Sequence, residues 1–416
     1  MPAPVRPSKP VHRRSLRNLS LALGAAAALL GCDQEPLGTA AELAKAGGPT
    51  PLTAAPTSLW LRVGPPTIGA TVTARVQYVG LITSRTSDAS CATVAPGSVP
   101  ATKPAGSSVY VATFTVTPVG VGQCTVTLTD KKGVQVTVQV RVRGQRIVFA
   151  TFRDENLEIY DMNPDGSDQA RLTTSSARDD TPVMAHDGSR ILFTSDRDGN
   201  DEIYSMNPDG SSPVRLTNNA ADDRNPAISP DGSRIAFQSD RDGEFQIYSM
   251  ASDGSDVRRL TSTGIARYPS WSPEGTTIAF SWRAGTGDGD HVFIIAADGS
   301  GMTGLTSGST TADGEPVWSP DGAKIAFTSN RAGSATSNIY VMDADGSDIT
   351  PLTVNAGVNF NPAWSLDGSR IAFASTRDHP DDNTTQAFDI YTMDASDGGH
   401  VARLTSNTVI DWSPGF

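Results

Sequence analysis

From Arg146 to Phe416 apolar and polar positions alternate in short runs, and the same order of runs returns six times: roughly I-A-F-x-S-x-R, I-Y-x-M, D-G-S, L-T and P-x-W-S-P-D-G. The aromatic of the first run falls at Phe149, Phe193, Phe237, Phe280, Phe327 and Phe373, with spacings of 44, 44, 43, 47 and 46. A period in the forties with several short strands per unit predicts a four-stranded propeller blade. In the third copy the strands are expected over 225–229, 234–239, 246–250 and 257–261, where apolar and β-branched residues dominate between turn residues.

Two separators in that copy are Asp-Gly pairs, Asp231-Gly232 and Asp253-Gly254, which close tight antiparallel hairpins. The other two, 241–245 and 262–267, are longer, so one rim should carry tight turns and the other loops, where binding usually sits. The array opens without the P-x-W-S-P-D-G strand and ends on Ile410-Asp411-Trp412-Ser413-Pro414, read as a lone copy of it. That last strand is expected to complete the blade of residues 146–173 and close a ring of six, leaving no open edge.

Before the ring the texture differs. Residues 57–143 alternate with period two, as in Val134-Gln135-Val136-Thr137-Val138-Gln139-Val140-Arg141-Val142, which predicts a small β-sandwich. Residues 32–56 are rich in Ala, Gly, Pro and Thr and read as a flexible tether. At the start, Arg13, Arg14 and Arg17 precede the apolar run Leu19 to Leu30, which is too short to span a bilayer and reads as an export signal over residues 1–31.

The carriers Ile235-Ala236-Phe237-x-Ser239-Asp240-Arg241, Ile247-Tyr248, Leu260-Thr261 and Trp318-Ser319-Pro320-Asp321-Gly322 resemble the TolB-type β-propeller, a relative of WD-repeat propellers. The resemblance implies an all-β, six-bladed propeller over residues 144–416 and an envelope setting. The family's namesake joins its propeller to an α/β domain and is soluble in the periplasm; this chain departs on both points, so its partner, a peptidoglycan-associated lipoprotein, is not carried over. Leu29-Leu30-Gly31-Cys32 resembles the bacterial lipobox, which implies cleavage before Cys32 and a lipid on its sulfur. Arg13-Arg14-Ser15-Leu16 faintly resembles a twin-arginine signal, and the export route stays open. Residues 57–143 look like a bacterial Ig-like module, with Gly120-Val121-Gly122-Gln123-Cys124-Thr125-Val126 resembling one of its strands. With Cys32 used by lipid, a disulfide between Cys91 and Cys124 is expected; two buried thiols are the alternative.

The chain carries a formal charge of −12, unevenly spread: residues 144–416 hold 19 basic and 40 acidic side chains, a net −21. That excludes nucleic acid and anionic lipid as propeller ligands, and favours cations or basic protein surfaces.

Acidic turns such as Asp343-Ala344-Asp345-Gly346 suggest calcium, but they lack a closing carboxylate and already serve as hairpin turns. Arginine follows the second strand as Arg153, Arg197, Arg241, Arg283, Arg331 and Arg377, a recurrence read as framework pairing with acidic residues. Trp271, Trp318, Trp364 and Trp412 are read as one recurring inner-strand position that packs between blades. What the repeat does not dictate is expected just before the innermost strands, at the loop-bearing mouth of the channel: Asp179, Asp180, Arg224, Arg267, Tyr268, Glu315, Phe360 and Asn361 form the candidate binding face, weighed against a solvated rim. The longest connections, 283–290, 331–337 and 377–388, fall in three consecutive blades and suggest a partner docking off-centre.

Catalysis has little support: no G-x-S-x-G elbow is present, and the five histidines show no metal-ligand spacing. The sequence therefore points to a monomeric, lipid-anchored envelope protein, in the periplasm or at the cell surface. It touches membrane only through its anchor, needs no cofactor or metal, and offers its propeller to a protein or glycan. The alternatives are a channel-site metal-dependent lyase or lactonase, and a structural spacer.

Overall fold

The computed structural model describes residues 52–63, 69–76, 80–285, 289–308, 311–333, 337–354, 357–379 and 387–416; Cys32 and the export signal lie outside them. These residues form β-strands and connections only, and no helix among them is long and apolar enough to cross a membrane.

Six four-stranded antiparallel sheets, numbered 1 to 6 in chain order, make the propeller. Sheet 3 shows the plan: Asp223–Ile228 innermost, then Arg234–Ser239, Gln246–Ala251 and the short outer strand Arg258–Arg259. The innermost strands of sheets 2, 4, 5 and 6 are Asp179–Met184, Ile265–Trp271, Asp313–Trp318 and Asn359–Trp364. Sheet 1 takes its innermost strand from the C-terminus, Asp411–Gly415, paired with Ile147–Thr151.

The core lies between successive sheets rather than inside any one of them. Phe149, Phe193, Phe237, Phe280, Phe327 and Phe373 are all fully buried, each contributing on the order of 2–3 kcal/mol of apolar burial. Phe149 and Tyr160 of sheet 1 share a cluster with Ala374 and Ile390 of sheet 6, so the last sheet packs on the first. The recurring Leu-Thr has a structural cause too. In each sheet the threonine hydroxyl accepts the amide of the third strand, as Thr217 does from Ile203 at 2.9 Å. The Asp-Gly turn leans on the same dipeptide of the preceding sheet: a Cβ on Gly210, at φ +83°, would stand 2.2 Å from the Leu172 carbonyl oxygen.

Two features of the repeat differ from the sequence reading. The register aligns Asp411-Trp412-Ser413-Pro414-Gly415 with Asp223-Arg224-Asn225-Pro226-Ala227, because Asp411 pairs with Thr151 as Asp223 pairs with Ser239. Trp412 thus occupies the Arg224 position, not that of Trp271, Trp318 and Trp364; its Trp-Ser-Pro matches theirs in letters alone. The second difference is in sheet 4, where Arg283 pairs with Ile265 and stands one residue earlier than its counterparts.

The N-terminal part of the described chain is a two-layer β-sandwich. One sheet joins Thr53–Ala55, Ala70–Val76, Tyr110–Pro118 and Ala92–Ala95; the other joins Ser58–Arg62, Gln135–Arg143, Gly122–Thr129, Leu81–Thr86 and Ser98–Pro100. Val72 and Phe114 of the first share a core with Val126 and Val140 of the second, and Cys91 is disulfide-bonded to Cys124. Leu52 and Ala54 are buried in that core, so the tether read as ending at residue 56 ends before residue 52; small side chains on an edge strand hid it. The sandwich meets the tight-turn end of sheet 2, where the Arg62 guanidinium donates to the His186 carbonyl and Arg143 to that of Pro208. The loop end of the propeller faces away from these contacts.

Candidate functional site

All six innermost strands carry a β-bulge at the same place. The bulged residue is left-handed and never glycine: Thr181 at φ 48°, Asn225 at 53°, Tyr268 at 54°, Glu315 at 53°, Asn361 at 52° and Ser413 at 47°. This conformation costs an L-residue roughly 1–2 kcal/mol. Its recurrence makes it a property of the ring; only the side chains differ.

The bulge also turns a backbone amide toward the preceding sheet, which must supply an acceptor. Asn225 donates to Thr194 Oγ1 at 3.2 Å, Tyr268 to Gln238 Oε1 at 3.1 Å and Glu315 to Ser281 Oγ at 3.0 Å. Where the preceding sheet offers Ala150, no acceptor is available, and Thr181 turns to Asp180 Oδ1 at 2.6 Å. Asn361 instead donates to Glu315 Oε2 at 2.8 Å, which also accepts from the Thr328 hydroxyl at 2.7 Å. Both carboxylates are thereby fixed in place, and burial pushes both above the usual carboxylate range. Burial and the nearby Glu315 charge likewise push the Tyr268 hydroxyl up to about 12.

These residues surround a cavity of about 330 Å³ at the loop end of the channel. It gathers seven of the eight residues proposed from sequence: Asp180, Arg224, Arg267, Tyr268, Glu315, Phe360 and Asn361. Asp179 is elsewhere, fully buried and held by Arg197 at 2.8 Å. Sequence reasoning missed Arg178, Phe245, Thr181, Asn225 and Trp412. The aligned position Asp180, Arg224, Arg267, Gly314, Phe360, Trp412 was the signal that could have found the last of them.

Three arginines enter this cavity, in unequal states. Arg178 grips both oxygens of Asp201 at 2.6 Å, and Arg224 pairs with Asp201 and with Asp222 at 2.7 Å. Arg267 has no ion pair among the described residues. Its guanidinium lies 5.3 Å from the Phe245 ring centre, beside that of Arg224 at 5.6 Å, and its enclosed Nε finds no acceptor there.

The channel's other end adds repeated apolar residues to the six left-handed ones, which line both ends. A cavity of about 390 Å³ is walled by Pro182, Pro226, Pro269, Pro316, Pro362 and Pro414, with Trp271, Trp318 and Trp364 beyond them.

The recurring arginines are framework. Arg241 donates to Ser239 at 2.9 Å and to both oxygens of buried Asp223, with its guanidinium over Phe237 and Tyr248. Arg153, Arg197, Arg331 and Arg377 repeat this on Asp411, Asp179, Asp313 and Asn359, each within its own sheet. Arg283 does not: its partner is Asp290 at 3.8 Å, outside that framework.

The acidic turns are occupied as well, since Asp345 Oδ1 accepts from the Ser347 amide at 2.9 Å and hydroxyl at 2.6 Å. Among the described residues no group of three or more His, Cys, Asp or Glu side chains is placed to hold a metal.

A family profile described as "TolB beta propeller domain" matches residues 106–215, 198–286 and 261–385, together about two thirds of the chain. No curated protein sequence matches. Among solved structures, TolB from Acinetobacter baumannii is 19% identical with a TM-score of 0.55, over 70% of this chain and 78% of that one. The putative TolB from Agrobacterium tumefaciens is 23% identical with a TM-score of 0.53, over 64% and 94%. A chain of a nidogen/laminin complex reaches a TM-score of 0.52 at 10% identity, over 65% and 97%. At these identities the likeness is one of fold.

Proposed function

Because the chain belongs to the TolB beta propeller domain family, we propose that it is a lipid-anchored bacterial envelope protein whose propeller is a non-catalytic recognition scaffold. Its lipid would sit on Cys32, its sandwich would act as a spacer, and the loop-end mouth would receive a segment of a partner protein. One observation carries the reading: the ring keeps its architecture at every sheet, yet the left-handed position carries five residue types over the six sheets, Thr181, Asn225, Tyr268, Glu315, Asn361 and Ser413, all lining one cavity. Framework positions repeat because one packing problem repeats; a binding surface has no such reason to be uniform.

Affinity capture from detergent-solubilised envelopes tests it. The wild-type chain should retain a protein that Asn225→Lys and Phe360→Ala variants lose while staying folded. Equal capture by all three would overturn the reading. A Cys32→Ser variant should leave the membrane fraction, and its persistence there would remove the anchor.

The second reading, a channel-site metal-dependent enzyme of lyase or lactonase type, rests on Asp180 and Glu315 sharing the cavity. A stoichiometric metal in the purified protein, lost in Asp180→Asn and Glu315→Gln variants, would favour it.

A further inference from the structure

The propeller is acidic as a whole, yet its loop-end cavity holds three arginines, and one of them has no ion pair among the described residues. Arg178 and Arg224 share Asp201 and have further carboxylates nearby. Arg267 pairs with no carboxylate among the described residues and lies over the face of Phe245. The carboxylates that hold Arg224, Asp201 of sheet 2 and Asp222 of sheet 3, correspond to Phe245 and Ile265 one sheet on, so neither position offers Arg267 a charge. The two acidic groups that line the cavity are already engaged: Asp180 by the Thr181 amide and the Trp412 indole at 3.0 Å, Glu315 by Thr328 and Asn361.

We propose that the mouth captures a peptide carboxylate, borne by a chain terminus or by an Asp or Glu side chain, through the Arg267 guanidinium, with Phe360 and Trp412 taking the adjoining apolar group. The inference rests on the mouth being the recognition surface. A guanidinium fork matches a carboxylate with two parallel hydrogen bonds, the strong charge-assisted kind. The acidity of the rest of the propeller does not oppose this at contact range, because charges more than about 8 Å away are largely screened at physiological salt. A peptide fits better than a uronate sugar. Two guanidinium groups already lie over Phe245, and Phe360 meets Phe388 edge-on at 4.6 Å, so both of these rings are engaged before a sugar could stack on them.

The test uses the full-length chain in detergent, titrated by calorimetry and ligand-observed NMR with four probes. They are acetyl-Gly-Gly-Phe as free acid, the same peptide as C-terminal amide, acetyl-Asp-Phe amide, and galacturonate. At least one acid-bearing peptide should bind roughly tenfold more tightly than the C-terminal amide, the equivalent of about 1.4 kcal/mol. The two acid-bearing peptides tell a chain terminus from a side chain. Arg267→Gln should erase that preference without lowering the melting temperature, and Arg258→Gln, on an exposed outer strand, should leave it intact.

Equal binding of acid and amide, or a preference that survives Arg267→Gln, would overturn the carboxylate inference. So would binding of galacturonate with both acid peptides inert. If no probe binds while envelope capture still depends on Asn225 and Phe360, this inference fails and the mouth remains the recognition surface. If capture is also independent of those residues, both fail.

Discussion

Sheets 3 and 4 are neighbours built on one alternation, and they cover the same aromatic pair with different chemistry. In sheet 3 the Arg241 guanidinium lies over Phe237 and Tyr248 and is tied to Ser239 and buried Asp223. In sheet 4 Trp282 replaces the serine, Ala266 replaces the aspartate, and the indole packs on Phe293 at 4.7 Å while donating to the Thr263 carbonyl at 2.8 Å. Both sheets keep the same bulge and the same left-handed residue. What a sheet needs there is a flat, hydrogen-bonded lid over its rings, and the ion pair is one way to make it.

The sharpest way to break that comparison is to remove each arginine. Arg241→Ala should cost about 3–5 kcal/mol in urea unfolding, because it strands a buried carboxylate. The loss should shrink on acidification as Asp223, already raised by burial, takes up a proton. Arg283→Ala, whose nearest carboxylate oxygen among the described residues is 3.8 Å away and partly exposed, should cost less than about 1 kcal/mol. Equal losses would mean that sheet 4 hides an equivalent framework.

Next in size, Trp282→Ala should cost roughly 2 kcal/mol, the usual price of a large aromatic truncation discounted for partial exposure. A neutral result would show that the indole is not the lid.

How much of this was legible beforehand follows from the same bulge. The buried phenylalanines, the Asp-Gly turns and the closing strand could be read because each is a periodic apolar or turn signal. The channel lining could not, because the bulge adds one residue to the inner strand and breaks the alternation that says which side chain faces where. Trp412 was misplaced for that reason: its Trp-Ser-Pro matches Trp318-Ser319-Pro320 in letters, while the pairing of Asp411 with Thr151 sets it four positions earlier in the strand. Phe245 and Arg178 come from loops, where spacing carries no information about the partner across the channel. Arg283 was counted with the other five because its one-residue shift is small against the spread of repeat lengths.

A smaller effect separates the mouth's acids from its framework. Burial raises the Glu315 carboxyl above its unfolded value of about 4.3. Ionising it therefore costs stability as pH rises through and above that value, and costs nothing below it. Glu315→Gln, which keeps an acceptor for Asn361 and Thr328, should melt higher than wild type at pH 7, with the gap closing toward pH 4. A gap independent of pH would contradict the assignment. Smallest of all, Arg267→Gln should leave unfolding within about 0.5 kcal/mol of wild type, since there is no ionic partner to lose among the described residues.

The central claim is that recognition sits where the sheets differ and not where they repeat, and the two ends of one channel provide the control. Photo-crosslinking residues placed in native envelopes at Phe245 and Phe360 of the loop end, and at Pro230 and Leu366 of the tight-turn end, test it in a single blot. Adducts of one defined mass from the first pair and none from the second are the expected result. Adducts from Pro230 and Leu366 alone, or equally from both ends, would contradict it.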